Sequence, residues 1–411
     1  MRYLTAEKNG NLIDRIYIAL WVVLSAAFVL ETPGIVFWAP TLLFGVWGAY
    51  AIIKKIPLHV PVGAVLLLLF CAVYVGFTYD PSQSVYYQSY ILLQSAFLFF
   101  MGSHFFAGNA DRETQEKKLC DYILLLCIIY IIYTIVTYVF YLRDPLNVPA
   151  DRKYWSIWYP GEVEKTATGF GASLLLGAAW GAYAVFFEKP LWKRILGGGI
   201  TAFCFGFNVL TGTRLPVLFT PVLVAAAFFL WLVFRKRKLR AGLVILGVCL
   251  LLGISVLIIF TVFKDQLRER FSGTVFSRFF ELGLRSTRWK YLKNVLQDFS
   301  FAYLGGGVHS KTVGVPHNFW LYIYDFGGIV PFAVYLMFTV ITAVSYIRFL
   351  IAKNVSFEIK CFLSLLLGVV FVEFMIEDLL YALPSFVLIA HFLFGVIDGL
   401  APPFGKKLNK Q

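Results

Sequence analysis

The chain has few charged residues, and its long apolar runs contain almost none. Asp, Glu, Lys and Arg make up 14% of the 411 residues, whereas 60% are hydrophobic and 18% are aromatic. Apolar runs of about 20 residues recur along the chain and match the thickness of the hydrocarbon core of a bilayer. This composition excludes a soluble globular protein. The runs are apolar throughout rather than alternating, which predicts helices rather than strands.

The cysteines and the potential metal ligands do not indicate a redox or metal centre. The histidines and carboxylates show no spacing that specifies a metal, and no glycine-rich phosphate loop occurs. All six cysteines lie inside or at the edge of hydrophobic segments, which favours apolar packing over disulfides or thiolate metal sites. They are Cys71, Cys120, Cys127, Cys204, Cys249 and Cys361. The sequence therefore predicts no metal and no cofactor.

Length and hydropathy predict an all-α polytopic membrane protein with about twelve transmembrane helices. The first follows basic residues as a signal peptide does, but it lacks a small-residue cleavage site and is predicted to stay as a helix. Residues 1–263 are predicted to hold helices 1 to 9, residues 264–317 one large loop with amphipathic helices, and residues 318–411 helices 10 to 12 with a tail. The predicted spans are 16–31, 34–53, 58–78, 85–106, 120–142, 168–187, 194–211, 215–234, 240–263, 318–350, 359–376 and 380–399.

Lysine and arginine are distributed unevenly between the two sides of these spans. The positive-inside rule predicts that the side with the basic clusters, and both termini, face the cytoplasm. The clusters lie at residues 54–55, 112–118, 193–194, 235–240, 348–353 and 406–407. The net charge of +13 is therefore a topological signal, without the basic soluble face that nucleic acid requires. The opposite side has two longer loops, 143–167 and 264–317, which offer the only room for an extracytoplasmic site.

Arg214 stands at the start of the eighth predicted span, on the side opposite the basic clusters. Thr213 precedes it as a helix cap, and Pro216 fits the first turn. A helix N-terminus with a guanidinium group forms an anion site, because backbone N–H groups and the arginine fork both bind phosphate oxygens. The helix dipole and the positive-inside rule both disfavour a purely structural arginine here. The alternative is an arginine that snorkels to lipid headgroups.

An amphipathic helix is predicted over residues 284–299 of the large loop. Its apolar stripe consists of Leu284, Tyr291, Leu292, Val295, Leu296 and Phe299. At about 100° per residue, Arg288 projects from the middle of this stripe. A cation on a buried face needs an anionic partner, which is either a ligand or Glu281 within the loop. Arg285 lies nearer the edge of the stripe, close to the start of the helix.

Two histidines lie between residues 305 and 331, where the chain leaves the large loop and enters the tenth predicted span. His317 precedes Asn318 at the entrance to that span. The positive end of the helix dipole disfavours imidazolium there, so a neutral imidazole is available to accept a proton. The alternative is that His317 caps the helix or hydrogen-bonds lipid headgroups. His309 and the pair Glu377–Asp378 are predicted on the same side.

Three motifs follow one another along the chain. They are Thr-x-Thr-Arg at 211–214, Arg288–Trp289 in the loop helix, and His317–Asn318 with Gly328 after nine further residues. In spacing, order and topology they are similar to the signatures of the O-antigen ligase family, the bacterial membrane enzymes that attach O-polysaccharide to lipid A-core. The twelve-span plan with one large loop extends the resemblance to nearly the whole chain. Pro331 departs from the pattern, because the family usually places Gly, Thr or Tyr there.

The resemblance implies a metal-independent glycosyltransferase of the Gram-negative inner membrane, surrounded by membrane lipids, with its site in a periplasmic loop. Its donor is expected to be O-polysaccharide on undecaprenyl diphosphate, and its acceptor lipid A-core. Arg214 and Arg288 are expected at the diphosphate, and His317 is expected to take the proton of the acceptor hydroxyl. Displacement at the anomeric carbon then inverts its configuration. Further residues expected to bind substrate are Arg285, Asn318, Thr213, Trp289 and His309.

Three other functions compete with ligation. An O-antigen or capsule polymerase shares the superfamily and the lipid diphosphate donor, but adds glycan to a second lipid-linked glycan. Loop 143–167 favours a ligase if its aromatic and basic residues meet a phosphorylated core oligosaccharide, although the same aromatic residues fit an interfacial belt. These aromatic residues are Tyr154, Trp155, Trp158 and Tyr159.

A flippase or other transporter is expected to have ionisable residues at mid-membrane and repeated spans, and neither is clear here. An accessory scaffold without activity is the third alternative.

Overall fold

Apolar helices form nearly all of the described part of the protein, which is a computed structural model. The structure describes residues 12–30, 35–78, 85–107, 111–141, 153–155, 164–234, 266, 269, 287–297, 299–312, 314–377 and 379–402. The predicted span 240–263 and Arg285 lie outside these residues.

The helices follow the apolar runs of the sequence. The first half contains α1 Leu12–Val29, α2 Ile35–Ile53, α3 Val62–Thr78, α4 Val85–Ser103, α5 Arg112–Tyr141, α6 Ala167–Phe187, α7 Leu191–Leu210 and α8 Arg214–Phe234. The second half contains α9 Thr287–Gln297, α10 Val308–Thr312, α11 Phe319–Gly327, α12 Ile329–Ile351, α13 Phe357–Ile376, α14 Leu379–Ala382 and α15 Pro384–Leu400, with a 3-10 turn at Phe299–Ala302. Two short strands, β1 Lys153–Trp155 and β2 Glu164–Thr166, pair antiparallel before α6.

Six of the described helices are long and apolar enough to cross a membrane. They are Leu12–Val29, Arg112–Val139, Ala167–Phe187, Arg214–Val233, Ile329–Ile351 and Phe357–Ile376. Shorter apolar helices cover Trp38–Ile53, Val62–Thr78, Tyr90–Ser103 and Pro384–Leu400. Large apolar side chains such as Val139, Val340 and Phe371 are exposed on these helices, as lipid-facing side chains are. The chain is therefore a helical membrane protein.

The tenth predicted span, residues 318–350, is broken into two helices, which corrects the sequence prediction. Helix α11 ends at Gly327 and α12 begins at Ile329, with Gly328 at a φ of 82° between them. The Gly328 N–H donates to the Tyr324 carbonyl at 2.8 Å and ends α11. Pro331 lies in the first turn of α12, where a missing N–H costs no helical hydrogen bond. Pro331 therefore fits the start of this helix.

Helix α6 is packed on all sides and fixes the relative direction of its neighbours. Almost every residue between 167 and 184 is buried, and α5, α7, α8 and α13 surround the helix. Tyr183 near the end of α6 contacts Phe362 near the start of α13, with ring centroids 4.9 Å apart. The two helices are therefore antiparallel. The start of α6 and the end of α13 share one end of the bundle, called the site end below.

The opposite end, called the basic end, brings together two of the predicted basic clusters. Lys193 at the start of α7 contacts Asp121 at 2.7 Å and Glu188 at 3.2 Å. The Ser356 hydroxyl, which caps α13, donates to Glu116 at 2.6 Å. Lys193 and Glu116 come from the clusters 193–194 and 112–118. Their common position agrees with the uneven distribution of lysine and arginine along the sequence.

Helices α4 and α15 cross in parallel with their backbones in contact. Gly395 lies against Phe99 and Gly399 against Ser103, one helical turn further along both helices. A Cβ atom on either glycine would overlap the carbonyl oxygen of the residue opposite. Small residues spaced four apart allow helices in membranes to approach this closely. The spacing Gly395–Gly399 thus attaches the last helix to the fourth.

Candidate active site

Asn318 anchors the start of α11 to the end of α13. Its Oδ1 accepts the Leu321 N–H at 3.0 Å, which caps α11. Its Nδ2 donates to the Met375 carbonyl in the last turn of α13 at 3.0 Å. Asn318 is buried, so both groups of its amide are satisfied within the protein. One asparagine therefore fixes the neighbouring histidine against a second helix.

His317 lies beside a buried carboxylate. Its Nδ1 is 3.7 Å from Oε2 of Glu377, the residue that ends α13. The Glu377 side chain is 7% exposed, whereas 29% of the His317 side chain is exposed. Of the two roles predicted for this position, the helix cap belongs to Asn318 rather than to His317. The imidazole therefore has one nitrogen toward a carboxylate and a part of its surface open.

Asp325 binds the end of the large loop to α11. Its Oδ1 accepts the His309 N–H at 2.9 Å. Its Oδ2 accepts the Ser310 N–H at 3.0 Å and the Ser310 hydroxyl at 2.5 Å. Asp325 is fully buried, and these hydrogen bonds compensate for the loss of water around its charge. The carboxylate thereby caps the start of α10.

Glycines make the fit between this loop and the α11–α12 break possible. The N–H groups of Gly306 and Gly307 donate to the carbonyls of Phe326 and Asp325 at 3.0 and 2.8 Å. A Cβ atom on Gly328 would come within 2.7 Å of the Tyr303 carbonyl oxygen. A side chain at position 328 would therefore clash with this carbonyl oxygen, and it would also strain the backbone, because the φ of Gly328 is positive. The glycine of the histidine motif thus serves to hold the loop on α11.

The turn before α8 places Arg214 next to the start of α6. Thr211 ends α7, Gly212 has a φ of 62°, and Arg214 begins α8. The Thr213 hydroxyl is 2.9 Å from the Thr211 hydroxyl and 3.5 Å from the carbonyl oxygen of Ala167, the first residue of α6. Thr213 is buried and packs on Gly171. The predicted cap residue thus joins the turn to α6, and Arg214 is half-buried beside it.

Arg214 and His317 lie at the site end of the bundle. Thr213 places the turn with Arg214 at Ala167, at the start of α6. Glu377 and Met375 place His317 and Asn318 at the end of α13. These two helix ends coincide because α6 and α13 are antiparallel. The turn that contains Arg214 contacts α6, whereas His317 and Asn318 contact α13.

The other predicted site residues have different environments. Arg288 and Trp289 belong to the first turn of α9, and their side chains lie outside the described part of the chain. Helix α9 begins three residues later than predicted; Val295 of its predicted stripe is buried, whereas Leu296 is 58% exposed. The His309 side chain is 3% exposed, so His309 contributes to the packing of the loop. Among the described residues, no group of three His, Cys, Asp or Glu side chains is placed to hold a metal ion.

No family model matches the sequence, and no curated protein matches it.

Two acids of this region, Asp325 and Glu377, have no partner that the sequence predicts. Asp325 is the only acidic residue between Phe319 and Phe332, and an acid in an apolar run requires buried partners. That signal was present in the sequence. Glu377 is predicted on the same side as His317 but without a partner, and its contact with His317 joins residues 60 positions apart in the numbering.

Proposed function

We propose that the protein is a membrane glycosyltransferase of the O-antigen ligase type. It transfers O-polysaccharide from undecaprenyl diphosphate to lipid A-core on the periplasmic side of the Gram-negative inner membrane. The main support is that His317 lies beside Glu377, next to the anchored Asn318, at the same end of the bundle as Arg214. A proton acceptor and a cation at one membrane surface suit a lipid diphosphate donor, whose reactive group lies at that surface.

In this proposal the chain crosses the membrane about twelve times, with both termini in the cytoplasm and residues 264–317 in the periplasm. The grouping of Lys193 with Asp121 and Glu188 at the basic end supports a cytoplasmic position for that end. The site end is then periplasmic. Topology is tested by labelling single cysteines placed at the exposed positions 311 and 189 with a membrane-impermeant maleimide.

The transfer follows from the roles of three side chains. His317 takes the proton of the acceptor sugar hydroxyl through Nε2, and the hydroxyl oxygen forms a bond to the anomeric carbon. The bond from that carbon to the diphosphate breaks, and its electron pair stays on the phosphate oxygen. Arg214 and Arg288 stabilise the diphosphate as negative charge develops on it. His317 then releases the proton to solvent, and the configuration at the anomeric carbon is inverted.

Complementation of a strain that lacks O-antigen ligase and has a matching core tests this function. Wild-type protein is expected to restore the lipopolysaccharide ladder, whereas His317→Ala is expected to reduce capped core at least about 100-fold, the usual contribution of a general base. His59→Ala is the matched control, because His59 is exposed and its ring contacts His104, with centroids 4.4 Å apart, rather than a residue of the proposed site. Membrane levels of all variants are measured by immunoblot.

The outcomes separate the competing functions. Equal restoration of the ladder by wild type and His317→Ala would contradict the proposal that His317 is the general base. Unchanged bare core together with longer lipid-linked glycan would indicate a polymerase. Accumulation of short lipid-linked repeats without any change in core would indicate a transporter.

Transfer by the purified protein is expected to continue in the presence of a chelator. The resemblance implies that arginines, rather than a divalent ion, neutralise the diphosphate. The measurement compares initial rates with and without EDTA, using undecaprenyl-diphosphate-linked donor and lipid A-core. A rate that falls more than tenfold in EDTA and returns with Mg²⁺ or Mn²⁺ would show that a metal ion takes part.

A further inference from the structure

We propose that Glu377 is the positioning residue of His317, an inference that rests on the proposed function. Glu377 holds the imidazole by Nδ1 and stabilises the imidazolium that forms when Nε2 takes the proton. The pair resembles neither a metal site nor a surface ion pair, because Glu377 is buried and faces a partly exposed histidine. A carboxylate in this position fixes both the tautomer and the orientation of a catalytic imidazole.

The position of Glu377 is fixed by its own helix. Its backbone N–H donates to the Glu373 carbonyl at 2.9 Å, so the residue continues the last turn of α13. Its side chain is 7% exposed, which limits the water that competes for its carboxylate. Glu373, one turn earlier on α13, is the other described acid on this part of the helix and is also buried. A carboxylate in this place is rigid before substrate binds.

His317 is fixed from the opposite side by its neighbour in sequence. Asn318 is attached to Met375 and Leu321 at the same time, so the backbone of residue 317 cannot move away from the end of α13. Met375 lies two residues before Glu377 on α13. The two side chains of the pair His317–Asn318 therefore contact a single helix turn. This double attachment gives a physical reason for the order of histidine and asparagine in the motif.

The distance between the two groups suits a contact that strengthens during the reaction. The Nδ1 and Oε2 atoms are 3.7 Å apart, which is longer than a hydrogen bond and within the range of an ion pair. Catalytic hydrogen bonds are often long in the absence of substrate. When the acceptor proton moves to Nε2, the imidazole becomes positive and its attraction to Glu377 increases. The proton leaves the acceptor oxygen, that oxygen bonds to the anomeric carbon, and the diphosphate leaves with the electron pair.

If the contact between α11 and α13 were purely structural, residue 377 would need a hydrogen-bonding side chain but no negative charge. An attachment requires only that some hydrogen-bonding side chain reach His317, which glutamine does as well as glutamate. Stabilisation of imidazolium requires the negative charge, which aspartate retains and glutamine lacks. Among the described charged groups that face this region, Glu373 remains in every variant, and Asp325 is bound to residues 309 and 310.

Kinetics of Glu377→Gln and Glu377→Asp separate these roles. Glu377→Gln is expected to lower kcat about 100-fold while the KM for the lipid-linked donor changes less than twofold, because the charge acts only as the proton moves. Glu377→Asp is expected to retain at least about a tenth of the activity. Melting temperatures of both variants are measured in detergent. Equal kcat values for the glutamine variant and wild type would overturn the proposal.

A second measurement does not depend on any glycosyltransferase activity. Diethyl pyrocarbonate reacts with neutral imidazole, and mass spectrometry follows the modification of His317 as a function of pH. Loss of the adjacent carboxylate is expected to move the pH of half-maximal reaction about one unit lower in Glu377→Gln, since the opposite charge no longer favours imidazolium. Glu377→Asp is expected to behave as wild type does.

The two measurements distinguish failure of the inference from failure of the proposed function. An unchanged reaction midpoint in Glu377→Gln would show that the pair is not coupled, whatever the protein catalyses. A shifted midpoint in a protein that transfers no glycan would keep the pair and refute the ligase. A shifted midpoint with a 100-fold lower kcat supports both.

Discussion

Replacing Gly395 by alanine is expected to reduce the free energy of unfolding by about 3 kcal/mol, the upper part of the range for overpacked sites. The added Cβ atom would overlap the Phe99 carbonyl oxygen, a backbone atom that cannot move without displacing α4. Its distance to the Phe99 carbonyl carbon would be 2.8 Å. The measurement is the melting temperature and the folded yield in detergent, followed by size-exclusion chromatography.

Gly368→Ala is the matched control for this substitution. Gly368 lies inside α13, and a Cβ atom there would meet nothing within 4 Å. Alanine also has the higher helix propensity, so this variant is expected to be as stable as wild type or slightly more stable. Equal melting temperatures for Gly395→Ala and Gly368→Ala would show that α4 and α15 do not pack with their backbones in contact.

Replacing Asp325 by asparagine is expected to release the loop end that it caps, at a cost of about 3 kcal/mol. The amide group has only one acceptor oxygen, so its NH2 group would face donors from Ser310 or His309. Opening of the loop then becomes about 150-fold more frequent, since 1.4 kcal/mol corresponds to a factor of ten. Hydrogen exchange at residues 308–312 measures this opening.

Glu113→Gln makes the same acid-to-amide change at an exposed position. Glu113 pairs with Lys117 on the surface of α5 and is 65% exposed, so its loss is expected to change exchange at residues 308–312 by less than twofold. Exchange that stays slow in Asp325→Asn would contradict the role of the buried carboxylate as the cap of α10. Transfer activity is measured in parallel, because the same loop leads directly to His317.

The membrane class and the grouping of the basic residues could be predicted from sequence because both depend on averages over many residues. Nine of the predicted spans each coincide with one described helix, and the clusters containing Lys193 and Glu116 meet at one end. The start of a helix could also be predicted where it depends on residues only a few positions apart. The start of α8 at Arg214, after a threonine and with a proline in its first turn, is such a case.

The break at Gly328 and the partners of the acids could not be predicted in the same way. Residues 318–350 are apolar on both sides of Gly328, so hydropathy predicts one continuous span. The structure has two helices there, separated at Gly328. The partner of Asp325 depends on how residues 305–312 fold back on α11. The partner of Glu377 depends on the packing of α11 against α13. These contacts depend on tertiary structure. The local sequence indicates only that a buried acid needs a partner, not which residue that partner is.

The parallel contact between α4 and α15 has a consequence for biosynthesis. Helix α15 is synthesised long after α4, so the surface of Phe99 and Ser103 has no protein neighbour from α15 until that helix has been made. The same delay applies to Tyr130, whose hydroxyl donates to Ser385 at 2.9 Å. Assembly of the bundle is therefore completed after insertion rather than during it. A chain that terminates before Pro384 would leave the surface of Phe99, Ser103 and Tyr130 without its partners from α15.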